Sequence, residues 1–270
     1  MHVVEAGPEG RPVSILLEAG SFGLSADWAV VQDRLAAKGL RSLAYDRAGM
    51  GLSDPGPRPR DGHAIAYDLE RLLAVVGAEG PFILVGHSMA GLHVHLFAGR
   101  NRDRVQGLVL VDATTPDTGD LPAARRYISV YGGFARAVAA AASAGLLRPL
   151  DGLARGMGLP PEPTRAKRWA FGHPTHNRAA SDEVRRWRAA AQQAKALGPL
   201  DPAWPVAVVT AGPERGLRAL RASQAEPAVR SRHGRVENVA AAGHATLLGP
   251  RHADAVVRGV EHVRTSCGAG

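Results

Sequence analysis

A serine, a histidine and two carboxylates of this 270-residue chain each follow an apolar run, and their types and order suit attack on an acyl carbon. Ser88 sits in Val85-Gly86-His87-Ser88-Met89-Ala90-Gly91, between the apolar residues 81–85 and a helical pattern over 92–100. A serine between small residues at a strand-to-helix junction is held in a tight turn. Its hydroxyl then lies at the helix N-terminus, where N–H groups and the helix dipole favour negative charge. A hydroxyl is a poor nucleophile until a base takes its proton, and the base needs an acid to orient it. His244, in Ala242-Gly243-His244-Ala245-Thr246, follows the last apolar run and is the best-placed base. Two acids stand at strand ends: Asp112, after 107–111, and Glu214, in Ala211-Gly212-Pro213-Glu214 after 206–210. Asp112 is favoured and Glu214 stays open. A tetrahedral intermediate also needs donors for its oxyanion. The Met89 N–H is one, and the loop Glu18-Ala19-Gly20-Ser21-Phe22-Gly23 offers a second from Ser21 or Phe22, with Gly20 freeing the backbone to turn inward. The plainer reading, a serine that merely caps a helix, leaves these partners unexplained.

The elements that must position these groups alternate along the chain. Apolar, β-prone runs over 13–18, 40–45, 82–85, 105–111, 206–210 and 235–239 are separated by helical patterns over 26–38, 63–76, 88–100 and 216–230, with a last helix over 251–264. This alternation predicts an α/β fold, a mostly parallel central sheet flanked by helices, with the site at the C-terminal strand ends. Residues 113–204 break the pattern. They carry helical patterns over 123–147 and 165–197 and no convincing strand, so a helical lid is expected, inserted after the strand ending at Val111. The core would then comprise 1–112 and 205–270. Gly20 and His87 beside the serine, with Tyr127 and Trp169 on the insert, are the expected pocket lining.

The net charge of +8 is carried almost wholly by arginine, the only lysines being Lys38, Lys167 and Lys195. The arginines are scattered and no nucleic-acid motif is present, so nucleic acid is not an expected partner. An acidic partner, such as an acyl carrier protein bearing the acyl group, stays open. No apolar run is long enough to span a bilayer, the first residues lack a signal-peptide layout, and the lone Cys267 leaves no internal disulfide; a cytoplasmic location is the expectation. His93 and His95 are two apart on one helix and face different sides, His173 and His176 fall in the insert, and no histidine group has metal-ligand spacing. Without a dinucleotide glycine fingerprint or a phosphate loop, no cofactor is expected.

The Gly86–Gly91 motif, the loop Tyr45-Asp46-Arg47-Ala48-Gly49-Met50-Gly51-Leu52-Ser53-Asp54 and the late Gly243-His244 together resemble the α/β-hydrolase fold superfamily over nearly the whole chain. The resemblance implies a serine-dependent hydrolase that cleaves an ester or thioester of a small, partly apolar substrate through an acyl-enzyme on Ser88. It implies that Asp46 and Arg47 brace loops beside the site. In most members the acid follows the strand before the last, which points to Glu214; in some it follows the strand after the elbow helix, which points to Asp112. Members that open epoxides or remove halide use an aspartate nucleophile, and Ser88 argues against both. The same acyl-enzyme also suits an acyltransferase, and a base-driven lyase or cyclase is a further alternative. Three departures stand out: Ala90 replaces the second motif glycine, Ala19 replaces the usual histidine before the oxyanion-loop glycine, and the short N-terminus predicts that the first antiparallel strands are reduced or missing.

Overall fold

A computed structural model of the chain describes residues 1–150, 158–213 and 217–267. Strands β1 (Val3–Ala6), β2 (Ile15–Glu18), β3 (Ser42–Tyr45), β4 (Phe82–His87), β5 (Val105–Val111), β6 (Val206–Ala211) and β7 (Gly234–Val239) form one sheet in the order β1-β3-β2-β4-β5-β6-β7. Every pairing is parallel except β1 with β3, where Val3 faces Tyr45 and Ala6 faces Ser42. The N-terminal antiparallel part of the sheet is thus reduced to one short edge strand rather than lost.

The two faces of the sheet are both covered, and the period-two alternation of side chains sorts the core between them. Ile15, Leu17, Ile83, Val85, Val109 and Val111 pack toward α1 (Ala29–Ala37) and α9 (Ala253–Cys267). Leu16, Phe82, Leu84, Leu108 and Leu110 pack toward α2 (Gly62–Val75) and α3 (Ala90–Arg100). Helix α8 (Arg218–Arg230) lies against β6 and β7. Two helix starts differ from the sequence pattern. Residues Ser25–Trp28 form a 3-10 turn, so α1 begins only at Ala29. Ser88, expected at the head of a helix, has φ 58° and lies outside it, so α3 begins at Ala90.

The chain leaves the sheet after β5 and returns at β6. Between them lie α4 (Pro122–Ser143), α5 (Pro161–Gly172), α6 (Pro174–Arg185) and α7 (Trp187–Ala196). The single helical pattern over 165–197 is therefore three helices. Pro174 breaks it: the ring lacks an N–H and pushes the preceding His173 to extended backbone (φ −84°, ψ 122°). Arg186 (φ −99°, ψ 7°) makes the second break. The insert is packed onto the sheet layer, since Ile128, Ala135, Val184, Trp187, Ala190 and Ala194 share one apolar cluster with Met89, Leu92 and Leu96. Burial of the residue that follows Ser88 therefore depends on the insert. Among the described residues, no helix is long and apolar enough to cross a membrane.

Candidate active site

Strand β4 ends at His87 and α3 begins at Ala90, so Ser88 and Met89 make the whole turn between them. Its geometry is pinned on both sides: Ser88 N–H donates to Val111 O (3.0 Å), and Ser88 O accepts from Gly91 N (3.1 Å) and Thr114 N (2.8 Å). A Cβ on Gly91 would lie 2.4 Å from Thr114 O, so the glycine required for close approach stands one position later than the motif has it, and Ala90 is accommodated. Among the described residues, the non-glycine residues with positive φ are Phe22 (56°), Ser88 (58°) and Asp112 (41°). Strained backbone of this kind persists only where the surroundings over-determine it, and here it falls on three expected site residues.

The loop after β5 carries Asp112 to the loop after β7, where its Oδ2 lies 2.6 Å from His244 Nδ1. With Nδ1–H donated to the carboxylate, Nε2 of the half-exposed ring is left to take a proton. Asp112 Oδ1 accepts from Arg221 Nη1 (2.9 Å) and Gln224 Nε2 (3.0 Å), both on α8. Burial alone would raise this carboxyl; the bond to His244, with those to Gln224 and Arg221, outweighs it and holds the group at about 2. Glu214, the alternative acid, lies outside the described residues. His87 packs its ring against that of His244 (centroids 4.6 Å apart) and donates Nε2–H to His244 O (3.1 Å). Burial, then the neighbouring His244, lowers His87 to about 4, which keeps it neutral in this role. Among the described residues, Ser88 makes no hydrogen bond to the His244 ring.

The loop after β2 approaches the serine closely. A Cβ on Gly20 would lie 2.8 Å from Ser88 Cβ, so only glycine lets this backbone reach the elbow. Among the described residues, no acceptor takes the backbone N–H of Ser21, Phe22 or Met89, which leaves these groups available to an anion. Arg47 holds the loop in place. Its guanidinium donates to Ala19 O and to Gly20 O (2.8 Å), pairs with Glu18 Oε1 (2.5 Å), and pairs with Glu183 Oε2 of α6 (2.9 Å). All three charged side chains are buried, and Tyr45 donates its hydroxyl to Glu18. Burial would raise the Glu18 carboxyl, yet Arg47 and then His93 and Tyr45 pull it below the usual range. Asp46 braces the neighbouring turn, accepting from Ser25 N and Ser25 Oγ (2.8 Å each) and Leu52 N (2.9 Å).

The insert touches the same loop at further points. Lys167 Nζ reaches Asp27 Oδ2 (2.8 Å), which itself accepts from Leu24 N, and His176 Nδ1 accepts from Gly51 N (3.2 Å). Tyr131 OH lies 3.0 Å from Ser21 Oγ. Tyr131 and Arg221 escape a sequence reading centred on strand ends. The i, i+4 spacing of Tyr127 and Tyr131 was the available signal for the first, because helical neighbours stack: their rings lie 5.6 Å apart at 9°. Tyr127 and Trp187 complete this aromatic wall edge to face. Trp169 is half-exposed and stacks on His173 (4.1 Å). Among the described residues, no group of histidine, cysteine, aspartate or glutamate side chains is arranged to hold a metal.

A seven-stranded sheet with a strained serine after its central strand and an Asp–His pair across its C-terminal edge defines the α/β-hydrolase architecture. The family model for the alpha/beta hydrolase fold matches residues 13–248, and the chain belongs to that family. It is 37% identical over 112 residues to an AB hydrolase superfamily protein of Gibberella zeae, covering 40% of this chain and 34% of that protein. The chain thus matches about a third of that curated relative's length. Over 98% of its length it is similar in fold to a thermophilic esterase from Thermogutta terrifontis (TM-score 0.70, 20% identity, 93% of that chain). It is equally similar to the epoxide hydrolase CorEH (TM-score 0.70, 21% identity, 98% of this chain and 94% of that one).

Two outcomes follow from these contacts. Arg47→Met leaves Glu18 and Glu183 buried without their cation and is expected to lower the unfolding free energy by about 3–5 kcal/mol in urea denaturation; a change below about 1 kcal/mol would contradict the bridging role. Burial, then Lys167 and Arg47, lowers His176 to about 3, as burial lowers His87 to about 4. An unfolded histidine takes up its proton near 6.5, so the unfolded state binds protons first as pH falls. Stability is therefore complete above about pH 6.5 and declines toward pH 4. Thermal unfolding across this range should show a shallower decline for His176→Gln; an unchanged slope would remove His176 as a source.

Proposed function

We propose that the chain is a serine hydrolase that cleaves an ester or thioester of a small, partly apolar substrate. One observation carries the reading: the 2.6 Å Asp112–His244 pair and a serine held at φ 58° both follow strands of one sheet, and His87, next to that serine, packs its ring on His244. In the proposed reaction Ser88 Oγ attacks the acyl carbon while His244 Nε2 takes its proton, and Asp112 fixes the tautomer and balances the imidazolium. The Met89 N–H and that of Ser21 or Phe22 receive the oxyanion. His244 then gives its proton to the leaving alcohol or thiol and activates the water that releases the acyl group. The absence of a Ser88–His244 hydrogen bond among the described residues is compatible with this scheme, because catalytic hydrogen bonds tighten only once substrate is bound.

Three features favour this over its rivals. A serine that opened an epoxide would become an ether, which water activated by His244 has no carbonyl to attack; an acyl-serine is an ester and turns over. The half-exposed His244 ring lets water reach the base, which favours hydrolysis over transfer to a second acceptor. The aromatic wall of Tyr127, Tyr131 and Trp187 suits an apolar acyl or ring group, with residues 113–204 acting as the lid over it.

A fluorophosphonate followed by intact mass tests the reading directly. Wild type should gain one adduct and turn over a short p-nitrophenyl ester. Ser88→Ala should gain none and lose about 10⁴-fold or more in turnover. An adduct that persists in Ser88→Ala, or ester turnover equal to wild type in that variant, would overturn it.

A further inference from the structure

A cavity of about 180 Å³ lies between the loop 48–60 and α6, and none of its lining residues belongs to the Ser88–Asp112–His244 set. Its walls on the loop side include Gly49 and Gly56, so they are largely backbone. Its charged lining is Arg58, Arg60 and Arg178, against Asp182. Arg60 is 4% exposed. Its Nη1 donates to Asp68 Oδ2 (2.6 Å), while its buried Nε and Nη2 have no acceptor. Buried donors are nearly always satisfied, so this guanidinium edge lacks a group that the protein itself does not supply. Among the described residues Arg178, on the opposite wall, hydrogen-bonds to the hydroxyls of Ser143 and Thr175 (3.4 Å each) and has no carboxylate partner. Arg58 pairs with Asp182 at 2.8 Å. Three guanidinium groups thus face two carboxylates, Asp68 and Asp182, and the cavity keeps a positive excess. The wider field has the same sign: residues 113–204 hold thirteen of the 33 basic residues and seven of the 25 acidic ones, a net +6 of the chain's +8.

We propose that this cavity is a binding site for a phosphate group. Guanidinium donors arriving from two walls suit a compact anion with several acceptor oxygens, which each fork can engage with two of its N–H groups. The Thr175 hydroxyl, in the first turn of α6, adds a neutral donor beside Arg178, and the positive end of that helix has the matching sign. A phosphate seated here ties the loop 48–60 to the helix that carries His176 and Glu183. Those side chains hold the turn and the oxyanion loop through Gly51 and Arg47, so occupancy stiffens the insert against the sheet. The site stands independently of the reaction proposed for Ser88. The phosphate has two sources, free inorganic phosphate or the phosphate ester of an acyl donor, and both present the same oxygens.

Isothermal titration with inorganic phosphate at fixed ionic strength tests the proposal. Wild type and Ser88→Ala should both bind one equivalent saturably. Arg58→Ala and Arg178→Ala change exposed positions, and their melting temperatures without phosphate check that they are folded. Each should weaken binding about tenfold, the loss expected for one charge-assisted contact. Displacement of phosphate by 4′-phosphopantetheine supports a tethered phosphate as the ligand, and failure to displace it supports the free anion. Equal stabilisation by sodium chloride at matched ionic strength, or unchanged phosphate affinity in both arginine variants, would overturn the site.

Discussion

The Arg47 guanidinium is the contact on which the site geometry depends. It sits in the interior between Glu18 at the end of β2 and Glu183 on α6, and it also binds the carbonyls of Ala19 and Gly20. A buried cation is tolerated only when its donors are met and its charge is balanced. Two carboxylates and two carbonyls do this, and the requirement fixes three segments at once: the end of a core strand, the loop that faces the serine, and one helix of the insert. The insert is therefore more than a cover. Moving α6 away would strand a charge, so this helix of the insert is coupled to the loop that faces the serine.

The strain in the backbone is placed in the same way. Positive φ at Phe22, Ser88 and Asp112 is unfavourable for each residue alone. For two of them the neighbouring strand supplies compensation: Ser88 N is held by β5, and Asp112 N donates to Val209 O of β6 (2.6 Å). Two adjacent strands, β4 and β5, thus lead directly into Ser88 and Asp112, and Phe22 stands in the loop after the neighbouring β2. The sheet thus positions the residues that follow its strands, which is how parallel sheets build sites at their C-terminal edges.

Much of this was legible in the chain. Apolar runs located six of the seven strands, and the small residues that end them singled out Ser88, His244 and Asp112 as candidates, because a strand that must end in a sharp turn needs particular residue types there. The resemblance placed Asp46 and Arg47 as braces, and their bonds bear that out. What was not legible depends on tertiary contact. β1 is an edge strand whose residues are only partly buried, so it lacks the continuous apolar run that marks the equally short β2 and β3. The split at Pro174 was hidden by helical periodicity on both sides of it. Arg221 carries no local signal of its contact with Asp112, a partner more than a hundred residues away, and the i, i+4 spacing of Tyr127 and Tyr131 signals their stacking but not the reach of Tyr131 to Ser21. The arginines are scattered along the sequence, and only the fold gathers Arg58, Arg60 and Arg178 around one cavity.

The most direct measurement is a crystal structure of the fluorophosphonate-treated protein. The proposed chemistry predicts phosphorus bonded to Ser88 Oγ, with the phosphonyl oxygen about 2.7–3.1 Å from the Met89 N–H and from that of Ser21 or Phe22. It also predicts His244 still paired with Asp112. Phosphorus on another residue, or a phosphonyl oxygen turned to solvent with those N–H groups unused, would contradict it.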